Sequence, residues 1–203
     1  RNTVYNISCF SHFKDDDELM ENTTMWSHYA DKHKGFCVKY SLDFSESKFR
    51  DILFCSLFKV KYTSRTESIT PNQLLKLGDK EVELCINNAV RKKLIKSLLT
   101  KSRFWSYEKE WRLILSEKEC YLLYENNISF PKIDSVYLGC RIDKSLEKLL
   151  IKLGDELGFK VYRTYQENNK FCLDYILLDK KRQDEDEYFY KLIKINTIED
   201  ELE

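Results

Sequence analysis

TTMWSHYADKHKGFCVKY, residues 23–40, packs a Trp, two His, two Tyr, an Asp and a Cys into one short span and changes period within it. Met25, Trp26 and Tyr29 fall at i, i+1 and i+4, which predicts a short helix over 18–31 with those side chains on one face. Gly35 stands where helix C-caps favour glycine, and Phe36 to Tyr40 then reads as a strand. The density is therefore read first as a packing junction between helix and sheet. Trp26, Tyr29, Phe36 and Val38 are expected to be largely buried there.

The same alternation recurs outward from this stretch. Strands are predicted near 4–10, 53–62, 110–115, 133–138, 159–165 and 171–178. Pro71 opens a long helical region running to about Lys101, with Leu74, Leu77, Val82, Cys85, Ile86, Ala89 and Leu94 at helical spacing. Lys92, Lys93, Lys96 and Lys101 crowd its end, where they suit the helix dipole and read as a solvated basic face. A second amphipathic helix, 142–157, is stopped by Gly158. The expected fold is α+β: a mixed, largely antiparallel sheet with the long helical region packed on it. One domain over 1–179 is expected, followed by a charged appendage at 180–203 that could dock a protein partner.

Composition narrows the functional classes. A hydrophobic content of 42% and an aromatic content of 14% argue for a folded globule. Lys+Arg and Asp+Glu both number 34, so nothing drives bulk association with nucleic acid or an anionic membrane, although local basic patches are compatible with that balance. No apolar run approaches the roughly 20 residues of a membrane span. The seven cysteines include no CxxC pair and no zinc spacing, so they are expected as reduced, buried thiols in a cytoplasmic protein, with no metal bound. The chain begins at Arg1 and enters a strand almost at once, which reads as the later part of a longer protein.

Chemistry concentrates in WSYEKEWRLIL, residues 105–115. Strand alternation puts Glu108, Glu110 and Arg112 on one face and Tyr107, Trp111 and Leu113 on the other. Two carboxylates so placed repel, which raises one pKa unless Arg112 or another cation compensates. Such a pair can stabilise a developing positive charge on a sugar, or simply form an ion-pair row. Other constellations are weaker. His28 and His33 are five apart and share no helix face, Ser27 and His28 point apart, and Asp31 and Asp43 have no nucleophile beside them. A nuclease reading lacks any D-x-[DE]-x-K group. YLGCRID (137–143) carries a glycine at a strand end that reads as a tight turn into the next helix.

The ordered segments ISCFS (7–11), LMENTTMWSHYADKHKGFCVKY (19–40), VKY (60–62), the K–W-YEKEWR run from Lys101 to Arg112, and VYLGCR (136–141) resemble a widespread bacterial family, domain of unknown function 2971. Members carry an N-terminal strand element that this chain lacks, and 180–203 falls outside the resemblance. Glu108-x-Glu110 is further similar to the E-x-E element of ADP-ribosyltransferases, in a toxin or phage-defence setting. That similarity implies NAD as substrate in a ring-lined cleft, with no metal. It makes Glu110 the stabiliser of an oxocarbenium-like transition state and Glu108 the orienting acid or base. Tyr29 would be the stacking ring, with Trp26, His28 and Arg112 lining the nucleotide site. WSHYA and YEKEWR are then expected to meet, with Glu108 or Glu110 in reach of His28, Tyr29 or Arg112. The alternative is a non-catalytic recognition domain in which His28, Glu108 and Arg112 form a buried polar network.

Overall fold

A computed structural model describes residues 5–41, 55–65, 89–125, 132–166 and 168–178. Residues 71–88 of the predicted helical region, which was to run from 71 to about 101, and the appendage at 180–203 lie outside those residues. The fold is mixed α and β with largely antiparallel sheets, as expected. The strands do not share one sheet, however. They divide between two compact units, described separately below.

The first unit holds β1 (Tyr5–Ser11), β3 (Leu57–Lys59), β4 (Lys61–Thr63), α3 (Ala89–Leu98), β5 (Thr100–Ser102), a 3-10 turn (Arg103–Glu108), β6 (Glu110–Ser116) and α4 (Glu117–Glu125). Strand β6 is central, antiparallel to β1 on one side and β3 on the other. Leu113 and Leu115 form a small core beneath Phe10, Leu57, Cys120 and Leu123. Strands β4 and β5 make a separate parallel pair, with Tyr62 opposite Lys101. The candidate strand 53–62 is thus two short strands on either side of Val60: the Val60 N–H still donates to the Glu110 carbonyl of β6 at 2.9 Å, whereas the Lys61 N–H donates to the Leu99 carbonyl at 2.7 Å.

The second unit holds α1 (Asp16–Glu21), α2 (Thr23–Tyr29), β2 (Phe36–Tyr40), β7 (Ile133–Leu138), α5 (Lys144–Leu157), β8 (Lys160–Gln166) and β9 (Leu173–Leu178). Its sheet runs β2-β7-β8-β9, antiparallel except where α5 crosses between β7 and β8. Asp143 caps α5 by accepting from the N–H of Ser145 and Leu146, and Gly158 ends it at φ 76°. The helix buries Leu150 and Ile151 on Val136, Leu138, Val161 and Leu178. Arg163 and Glu147 form a buried, two-pronged ion pair between β8 and α5. On the other face Tyr137, Tyr162 and Tyr175 pack ring on ring, and Lys39 meets Asp16 of α1 at 2.7 Å.

The opening stretch lies in this second unit and differs from expectation in three ways. The helix is two helices, because Asn22 ends α1 and its side chain caps α2 by accepting from Met25 N–H at 3.3 Å. Gly35 is not the helix cap: α2 ends at Tyr29, and Asp31, Lys32 and His33 turn the chain in left-handed conformation at φ 46°, 54° and 66°. Trp26 is buried as expected, its indole N–H donating to the Leu19 carbonyl at 3.2 Å. Tyr29 and Phe36, by contrast, are exposed, at 61% and 42%. Trp26 and Ala30, four apart, form the buried stripe and leave Tyr29 at its edge, while Phe36 opens an edge strand.

Candidate functional site

The site belongs to the first unit and depends on a turn that is not a strand. Regular alternation would set Glu108 and Glu110 about 7 Å apart along one face. Instead Glu108 closes the 3-10 turn and Lys109 adopts φ 48°, its N–H donating to Ser106 O at 3.3 Å. The Lys109 carbonyl accepts from His12 N–H at 3.2 Å, which ties the turn to the end of β1. The reversal brings both carboxylates, each about 95% buried or more, onto one amine.

That amine is Lys101. Its Nζ donates to Glu108 Oε2 and, at 3.0 Å, to Glu110 Oε2. Arg112 holds Glu110 from the other side, through Nε to Oε1 at 2.7 Å and Nη2 to Oε2 at 3.3 Å, while its Nη1 donates to the Leu98 carbonyl. The hydroxyl of Tyr62 accepts the Glu110 N–H at 2.8 Å. Cys9, opposite Arg112 in register, gives its thiol to the Glu110 carboxylate. Lys101 also lies 5.3 Å from the Trp105 ring centroid.

The electrostatics follow from these contacts. Burial alone would raise the Glu110 pKa, but hydrogen bonds from Arg112, Cys9 and Lys101, with the charge of Arg112, hold it at about 2. Burial would lower that of Lys101, yet the two carboxylates push it up. Burial, then the bond and charge of Glu110, raise the Cys9 thiol and disfavour a thiolate. Two carboxylates thus face two cations, and the cluster balances its own charge.

Of the residues singled out in the sequence, Glu108, Glu110 and Arg112 come together here. Trp26, His28 and Tyr29 stand on α2 of the second unit. There Trp26 is core, and exposed His28 sits edge-on to Tyr29 at 6.4 Å. The sequence reading missed Lys101, Cys9 and Tyr62, although all three stand in the quoted segments ISCFS, VKY and K–W-YEKEWR. Lys101 leaves the helical region for β5 and is an ion-pair partner rather than part of a solvated face. His33, set aside in the sequence because it stands five residues from His28, has its Nε2 3.2 Å from Ser27 Oγ, and its buried Nδ1 has no hydrogen-bond partner. The six described cysteines are free, and none is fully buried: Cys9 and Cys55 are exposed and the others half-buried, a correction to the buried thiols expected. Among the described residues no group of His, Cys, Asp and Glu could hold a metal ion, and no helix is long and apolar enough to cross a membrane.

A mixed α and β chain with a buried, charge-balanced carboxylate pair is the class these observations define. Residues 25–113 match the family model described as Protein of unknown function (DUF2971), which bears out the family resemblance drawn from WSHYA and YEKEWR. No curated protein and no solved structure matches the chain.

Proposed function

We propose that the chain is a non-catalytic recognition domain in which Glu108 and Glu110 act as a structural tie. One observation carries this reading: each carboxylate is buried and paired with a cation, Glu108 with Lys101 and Glu110 with both Lys101 and Arg112. A carboxylate that stabilises an oxocarbenium ion must present net negative potential to the substrate. Here two adjacent cations cancel that potential. The tie joins β5, the 3-10 turn and β6, and through Tyr62 also β4. Free cysteines support a reducing, cytoplasmic setting for the domain.

A second reading has one observation in its favour. The two glutamates converge on one amine beside the exposed ring of Trp105, which lies 6.0 Å from the half-buried Tyr107 ring. In that reading NAD is the substrate, Glu110 stabilises the ribosyl cation and Glu108 orients the acceptor, in a toxin or phage-defence setting. The two readings separate in one experiment on the full chain: nicotinamide release from NAD, alongside thermal and denaturant unfolding of wild type and Glu110→Gln. The proposal expects no release above blank, and a loss of about 1–3 kcal/mol of stability on substitution because Arg112 and Lys101 lose a buried counter-charge. Release by wild type that Glu110→Gln abolishes, with unchanged melting, would establish the enzyme instead.

A further inference from the structure

The even charge balance of the whole chain conceals a local excess. Residues 55–65 and 89–109 carry ten Lys or Arg and one carboxylate, Glu108, which Lys101 already neutralises. These segments form one lobe of the first unit. The Lys61 N–H donates to the Leu99 carbonyl at 2.7 Å, where α3 passes into β5, and β4 lies parallel to β5. The 3-10 turn packs on both strands.

Register decides which side chains turn to the carboxylate cluster and which turn away from it. Tyr62 and Lys101, paired across the two strands, turn inward to the carboxylate cluster. Alternation sends Lys61, Thr63, Thr100 and Ser102 the other way. Lys59, Lys61, Arg65, Lys92, Lys96 and Arg103 are all exposed. Beside them the 3-10 turn holds Phe104 80% exposed and Trp105 38% exposed, on a backbone anchored by the buried Glu108. An exposed phenyl ring on a rigid turn is an apolar cost that a partner can relieve.

We infer that this lobe binds single-stranded nucleic acid, the exposed cations pairing with phosphates and Phe104 with Trp105 stacking on bases. The inference rests on the recognition reading and names its partner class. Cations alone would suit any polyanion, and rings alone any apolar groove. Exposed cations and exposed rings occur together in this lobe, and a strand of charged backbone and flat bases complements both. A membrane surface would instead need a broad apolar helix face.

The test titrates the full chain into a fluorescent oligonucleotide of about fifteen thymidines, following anisotropy at increasing KCl. Binding is expected at low salt and should weaken as salt rises. Phe104→Ala, at a site too exposed to affect folding, should weaken it about tenfold. The pair Lys61→Ala with Arg103→Ala should lower the slope of log affinity on log salt by about 1.4, two contacts at about 0.7 each. Lys148→Ala with Lys152→Ala, exposed on α5, removes equal charge and should change neither quantity. Absence of binding at low salt would overturn the inference. So would equal losses in the α5 control, or equal Phe104-dependent binding to vesicles of acidic phospholipid. Nicotinamide release is read separately, so failure here leaves the recognition reading standing.

Discussion

Glu147→Ala is expected to lower stability by about 3–5 kcal/mol, among the largest effects any single substitution should produce in this chain. Arg163 is 9% exposed on β8, and its Nε donates to Glu147 Oε2 at 2.8 Å while Nη2 meets Oε1. Glu147 is itself buried, on the face of α5 that covers the sheet. Truncating it leaves a guanidinium facing the Leu138–Leu150 core with its principal counter-charge gone. The double substitution Glu147→Leu with Arg163→Met should recover most of that loss, because no buried charge is then left alone. Denaturant midpoints of the two variants provide the measurement. A single-variant cost below about 1 kcal/mol, the range of exposed pairs, would show that the pair is solvated.

Gly139→Ala is expected to cost about 3 kcal/mol. A Cβ at this position would lie 2.2 Å from His33 O, 2.6 Å from His33 C and 2.9 Å from Gly35 O, all of them backbone atoms. No rotamer relieves such a clash, so the left-handed turn at 31–33 must move away. That movement stretches the Gly139 N–H bond to Gly35 O and the Arg141 N–H bond to His33 O, both 2.9 Å. Overpacking of about 1–3 kcal/mol then adds to weakened hydrogen bonds of about 1 kcal/mol each. Gly158→Ala is the control: nothing lies within 4 Å of its Cβ, and only its φ of 76° is unfavourable, at a cost of about 1 kcal/mol. Equal melting temperatures for the two variants would refute the close-approach role.

These two glycines show where sequence reading reached and where it stopped. Gly158 was legible, since it follows the last periodic leucine of α5 and does what a helix-ending glycine does. Gly139 was read as a local turn. The partner that excludes a side chain there is a backbone segment about a hundred residues earlier, and no local pattern encodes that approach. Strand positions were legible for the same local reason: β1, β2 and β6 to β9 fall within two residues of their alternating runs. Their division between two sheets was not, because it depends on long-range register, such as Cys9 opposite Arg112 and Cys37 opposite Tyr137.

The candidate site followed the same rule. Glu110 and Arg112 share a face of β6 and pair as their spacing implied. Glu108 reached the site by another route, since Lys109 takes a left-handed conformation that glycine or asparagine usually announces. Lys101 was assigned to a helix end because the lysines before it keep helical company, whereas the helix ends at Leu98 and β5 starts at Thr100. Cys9 and Tyr62 are brought in by pairing across β1–β6 and by the Glu110 N–H, contacts spanning 101 and 48 residues.

The central claim is that the carboxylate pair is a charge-balanced structural tie, and the ionisation of Glu110 tests it most directly. Its folded-state pKa is held at about 2 against an ordinary 4.5. A depressed folded value means the tie contributes fully above pH 4.5 and is lost as pH falls toward 2. A carbon-detected NMR titration of the Glu110 side-chain carboxyl in the full chain should show it still ionised through the ordinary carboxylate range, with a midpoint near 2. A midpoint at or above 4.5 would contradict the account, since Arg112 and Lys101 could not then be holding that carboxylate.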